Sequence, residues 1–181
     1  MGRSVADVGA IVITHAHADH LGSAARVHEA SGARVLAHPA DADVVRAGGP
    51  KPPPSFFADA WRPRFARYLL HAAANGGTSI KGVPEVETFT DGQVLDVPGR
   101  PRVLHTPGHT AGHCALLLDD RGVLFSGDAL VTLDTFTGRT GPRLIRWNHD
   151  AEQATASYER LRALDAQLIL PGHGEPWRVS P

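Results

Sequence analysis

The chain has 181 residues, 42% of them hydrophobic, which allows one ordinary domain with a packed core and excludes a disordered chain. Its 18 basic and 19 acidic side chains leave a formal charge of −1, so nothing favours a nucleic-acid face or an anionic membrane surface. The longest apolar runs are only a few residues, the N-terminus has no apolar leader, and the single cysteine, Cys114, excludes an internal disulfide framework; a cytoplasmic location is the default expectation.

Residues 10 to 14 (Ala-Ile-Val-Ile-Thr) read as a short buried strand, apolar and β-branched. The run His15-Ala-His17-Ala-Asp19-His20 follows at once. Residues 21 to 31 have helical spacing, with Gly32 as the C-cap, and residues 33 to 37 form a second strand ending at His38-Pro39. This opening is βαβ-like. Residues 48 to 54 are a Pro/Gly loop. Phe56, Phe57, Trp61, Phe65 and Tyr68 then recur at roughly helical intervals up to Ala74, and Asn75-Gly76-Gly77 ends that helix. Segment 48–85 is expected to be an insert that walls a pocket, since its loops are long for a compact domain.

Beyond residue 86 the pattern is β. The expected strands are 86–89, 93–97, 102–105, 114–118, 123–126 and 167–170. Asp150-x-x-Gln153 is a capping box for a helix over 151–164, with Ala154, Tyr158 and Leu161 on its apolar face. Nothing marks a domain boundary, so residues 1–181 read as one domain.

The composition has one anomaly, its 11 histidines. Metal-type ligands stand at the ends of four expected strands. They are His15, His17, Asp19 and His20; His109 in Thr106-Pro-Gly-His-Thr110; Asp128 in Ser126-Gly-Asp; and His173 in Pro171-Gly-His-Gly174. A glycine directly precedes the ligand in the last three, allowing a sharp backbone turn into a crowded centre. Imidazole and carboxylate suit a divalent cation such as zinc, with iron or manganese as alternatives. These residues exceed the roughly four ligands of one tetrahedral zinc, whereas two metals sharing a carboxylate would use them all. His113 is a candidate supporting partner for a ligand. His105 reads as a core or edge residue, His38 as structural, and His28, His71 and His149 as surface residues. Arg139, Arg143 and Arg146 follow Asp128 in an expected loop that could hold a substrate carboxylate or phosphate.

Thr14-His-Ala-His-Ala-Asp-His-Leu-Gly22 resembles the defining metal motif of the metallo-β-lactamase superfamily. The His109, Asp128 and His173 loops resemble its next three motifs, in the same order. The resemblance runs from about residue 8 to 177, and its flavour is similar to glyoxalase II-like (hydroxyacylglutathione hydrolase-like) enzymes. It implies an α/β fold, an αββα sandwich. It implies one divalent metal on His15, His17 and His109, a second on Asp19, His20 and His173, and Asp128 between them. It also implies attack by a bridging hydroxide on a thioester, ester, lactone or amide carbonyl, with Asp19 orienting the nucleophile and relaying its proton. Family members usually carry a few tens of residues before the first motif, so the expected sandwich lacks the usual N-terminal strands. A homo-oligomer covering the exposed sheet edge is then expected. Two other readings stay open: a mono-iron oxidoreductase like the persulfide dioxygenases, and a truncated inactive relative. The expected partner is a small-molecule substrate, with no nucleic acid and no membrane.

Overall fold

The computed structural model describes residues 2–51, 57, 60–75, 77 and 80–179. Strands β1 (Ala10–Val12), β2 (Arg34–Ala37) and β3 (Glu87–Thr88) form a parallel three-stranded sheet in that order. A second sheet has the order β10-β9-β6-β5-β4, built from β4 (Arg102–His105), β5 (Cys114–Leu118), β6 (Val123–Gly127), β9 (Leu168–Pro171) and β10 (Trp177–Arg178). Strands β7 (Val131–Leu133) and β8 (Thr140–Arg143) make a separate hairpin. The helices are α1 (Ala18–Leu21), α2 (Ala24–Ser31), α3 (Pro39–Ala47), α4 (Pro63–Ala74) and α5 (Ala151–Arg162).

The alternation of side chains along the strands builds the layers. On β2, Val35 and Ala37 pack with Leu21, Ala24, Ala25 and Val45 of the helices, while Leu36 turns to the opposite face. On β5, Ala115 and Leu117 pack under Leu161 of α5, while Cys114 and Leu116 turn inward. On β4, Leu104 faces α5 and Val103 faces inward. The inward set meets Leu36, Ala10 and Val12 between the two sheets. Three apolar layers therefore separate helices, sheet, sheet and helix, the expected αββα order. Each fully buried Leu in them contributes about 1.5–3 kcal/mol.

Several elements match their local signals. Helix α2 ends at Gly32, which is left-handed at φ 70. Helix α5 starts on Asp150, whose Oδ1 accepts the Gln153 N–H at 3.0 Å while the Gln153 side chain donates back to Oδ2 at 2.7 Å. The described part of the aromatic segment is helical from Pro63; residues 52–56, including Phe56, lie outside the described residues.

Other elements differ from expectation. Residues 93–97 form only one bridge, Val94 to Arg102, because Pro98 and Pro101 remove ladder donors around a tight turn. The run after His17 is not a loop, since Asp19 and His20 sit in α1, and the expected 21–31 helix is broken at Gly22-Ser23. Helix α3 carried no expectation. His38 caps it by accepting the Ala40 N–H, with Pro39 at its first position. The β7–β8 hairpin replaces the loop expected around Arg139 and Arg143. His28 is half-buried and bonds the Ala33 carbonyl at 2.8 Å, so it is not simply a surface residue. Among the described residues no helix is long and apolar enough to cross a membrane.

Cys114 lies in the inter-sheet layer with no exposed surface. Burial, reinforced by the nearby Asp41, pushes its thiol up to about 12. It is expected to resist iodoacetamide near neutral pH in the folded protein and to react fully in urea. Stoichiometric labelling of the native protein would refute that.

Candidate metal centre

Three strands of the second sheet run in one direction: β4 and β6 are both antiparallel to β5, and β9 is parallel to β6. Their C-terminal ends share one edge, and from that edge start the loops carrying His109, Asp128 and His173. The loop after β1 and the first turn of α1 supply His15, His17, Asp19 and His20 from the other sheet. The Cys114 N–H joins the sheets by donating to the Thr14 carbonyl at 2.8 Å, just before His15.

All of the sequence-predicted ligands converge. The His17 and His109 ring nitrogens face each other at 2.8 Å. Asp128 lies at the middle, with its oxygens 3.9 Å from His15, 3.3 Å from His20, 3.4 Å from His109 and 3.3 Å from His173. Asp19 stands 3.2 Å from His173 and 3.8 Å from His20. Three triads bring their ligand atoms within 4.8 Å of one another: His15, His17 and His109; His15, His20 and Asp128; and Asp19, His20 and His173. Gly172 passes so close that an added Cβ would stand 2.2 Å from Asp128 Oδ1, so glycine is required there. Gly108 is left-handed at φ 124 and abuts the Ala154 backbone, which also rules out a side chain.

The electrostatics follow from crowding. Burial pushes His15 well below its usual pKa, as do the neighbouring His113 and His20. Burial and His109 lower His17 to about 4. Burial opposes the charge on Asp128, yet His109, His173 and His20 hold its carboxyl well below the usual range. Burial likewise opposes ionisation of Asp19, which His173 and His20 outweigh. His173 is the exception: despite burial, Asp128 and Asp19 raise it to about 10.

The surroundings set the tautomers. The Asp128 N–H donates to His113 Nε2 at 2.9 Å, so the neutral ring must carry its proton on Nδ1, which donates to Thr106 Oγ1 at 2.8 Å. Burial, with His109 nearby, lowers His113 to about 3 and keeps it neutral. His113 is thus a support for Asp128. His109 Nδ1 faces the Trp147 carbonyl at 2.6 Å and must donate, which directs Nε2 toward the centre.

Sequence reasoning passed over Asp41. An aspartate in the first turn after His38-Pro39 looks like an ordinary helix start. In the fold it is buried at 3% exposure. It accepts the Ala16 N–H at 3.0 Å, the Thr110 hydroxyl at 2.7 Å and the Gly112 N–H at 2.8 Å. One carboxylate thereby ties the His15–His17 segment to the loop of His109. Of the arginines after Asp128, Arg143 turns its guanidinium back onto the Gly141 and Thr140 carbonyls of its own strand. Arg146 lies over the Trp147 ring. His38 and His105 stack 4.2 Å apart, away from the ligand cluster.

Residues 1–173 match the family model described as the metallo-beta-lactamase superfamily. The chain belongs to the metallo-β-lactamase superfamily. It is 29% identical over 184 residues to the probable metallo-hydrolase YflN of Bacillus subtilis, covering 92% of this chain and 64% of that one. It is 31% identical to a hydroxyacylglutathione hydrolase of Cereibacter sphaeroides, covering 90% of this chain and 47% of the relative. The crystal structure of TTHA1623 in a di-iron-bound form superposes with a TM-score of 0.58 at 30% identity, covering 93% of this chain and 71% of that one. The chain thus spans less than two thirds of the length of YflN and about half of the hydroxyacylglutathione hydrolase.

Proposed function

We propose that this metallo-β-lactamase superfamily member is a binuclear metal-dependent hydrolase of small-molecule thioesters, esters or lactones. The observation carrying the reading is a set of converging buried polar atoms without a hydrogen bond, which a cation would satisfy together. His15 Nε2, His20 Nε2 and Asp128 Oδ1 are buried and make no hydrogen bond among the described residues. Each such atom costs about 1–3 kcal/mol if left unsatisfied. Imidazole and carboxylate donors in this arrangement fit zinc, iron or manganese.

In this reading His15, His17 and His109 hold one ion, Asp19, His20 and His173 hold the other, and Asp128 serves both. Bound there, the metals supply an activated water and Lewis-acid stabilisation of the oxyanion. The chain's own residues do the rest. Asp19, ionised at neutral pH and partly exposed, orients the attacking water and accepts its proton. The Trp147 carbonyl fixes His109, and His113 fixes Asp128. His173, which Asp128 and Asp19 hold protonated, would have to lose that proton to serve as a ligand. Helix α4, within segment 48–85, walls the pocket. The complete ligand set favours hydrolysis over the mono-iron oxidoreductase reading, which needs only about three ligands. The di-iron-bound relative keeps iron beside zinc as a candidate metal.

Elemental analysis with a thioester, ester and lactone panel tests this. The expected result is about two metals per chain and hydrolysis that chelation abolishes and added metal restores. Fewer than about one metal per chain together with no hydrolysis of any panel member would reject it.

A further inference from the structure

An open cleft of about 320 Å³ lies between α4 and the turn that follows β7, lined by Arg64, Arg67 and Thr135. A pocket of this size takes a substrate fragment. Both arginines are exposed, and among the described residues neither reaches a carboxylate. The nearby Asp134 is occupied locally, because its Oδ1 accepts the Phe136 and Thr137 N–H groups at 2.9 and 3.0 Å. The Arg64 guanidinium lies where a side chain at Gly138 would stand, 2.0 Å from an added Cβ, so the turn leaves room for it.

A run of aromatic contacts connects the wall of the cleft to the candidate metal centre. Phe136 follows Thr135 and packs on Phe65 at 4.8 Å and on Trp147 at 6.0 Å. The Trp147 carbonyl in turn accepts the hydrogen bond of His109 Nδ1–H. Tyr68 stands one turn beyond Arg64 on α4 and also meets Phe136, at 6.3 Å. Along a helix that step is about 6 Å.

We propose that Arg64 and Arg67 form a subsite for an anionic group of the substrate, a carboxylate or a phosphate. The inference rests on the hydrolase reading for the position of the reacting carbonyl. Two guanidinium groups in one cleft provide several donors suited to either anion. The subsite thus places on α4 an anion-holding role that the sequence left open for arginines after Asp128.

Three matched substrates test this on metal-loaded protein: S-acetyl mercaptohexanoate, S-acetyl mercaptohexyl phosphate, and the neutral methyl ester of the first. In Arg64→Ala/Arg67→Ala, KM for the carboxylate or the phosphate is expected to rise roughly 10- to 100-fold. Here kcat and the neutral substrate are expected to be unchanged, and whichever anion responds identifies the source. Equal KM values for all three in the unsubstituted protein, or an equal change across all three in the variant, would overturn the proposal. If none of the three is hydrolysed, the hydrolase reading is decided separately by its metal content and wider substrate panel. Calorimetric binding of the corresponding S-methyl thioethers then decides the subsite. Binding of an anionic thioether that the double variant loses upholds it; no binding, or equal binding by both proteins, overturns it.

Discussion

Asp128→Asn is expected to fold, to lose about one of two metals per chain, and to hydrolyse its substrate roughly 10³-fold more slowly. Asparagine keeps the volume beside Gly172, so the close backbone passage there survives. What changes is charge. Asp128 is 2% exposed and lies within 3.9 Å of His15, His20, His109 and His173. Among the described residues no other carboxylate touches both ligand groups, because Asp19 reaches only His20 and His173. The amide puts an N–H₂ donor where a lone pair was, and that edge cannot accept a cation. Metal stoichiometry by elemental analysis and turnover on the same preparation check this. Two tightly held metals with an undiminished rate would remove Asp128 from the centre.

Asp41→Asn is expected to weaken metal affinity and activity roughly 10- to 100-fold, although Asp41 is no ligand. Its carboxylate accepts three donors, the Ala16 and Gly112 N–H groups and the Thr110 hydroxyl. Asparagine offers one oxygen and turns its own donors toward a donor. At least one buried N–H is then unsatisfied, at a cost of about 1–3 kcal/mol. For a chain of this size that lowers Tm by roughly 2–12 °C. The loss also loosens the His15–His17 segment from the His109 loop, and this separates a positioning role from a merely structural one. Asp41→Asn should need more metal to reach full activity, while a stability-matched core variant should not. Unchanged metal affinity would show that the two loops hold their geometry without Asp41.

Some of this protein was legible in its residues one at a time and in short windows. The run His15 to His20 announces a metal site because a cluster of imidazoles and a carboxylate has little structural use. The three glycine-led loops announce themselves because a turn into a crowded centre needs glycine. Strands β4 and β5 were readable to the residue, since a short apolar run bounded by turn residues is a local pattern. The Asp150 cap of α5 was readable for the same reason.

What only the tertiary structure decided involves residues far apart in the chain. Asp41 bonds partners 25, 69 and 71 positions away, and His17 meets His109 across 92 positions. A local pattern carries no such information, so nothing in the neighbouring residues singled out Asp41, Arg64 or Arg67. The common direction of β4, β6 and β9 brings three separate loops to one edge. The tautomers of His113 and His109 depend on which backbone groups arrive beside them. The ligand types were written locally; their distances, proton positions and supporting carboxylate came from packing two sheets face to face.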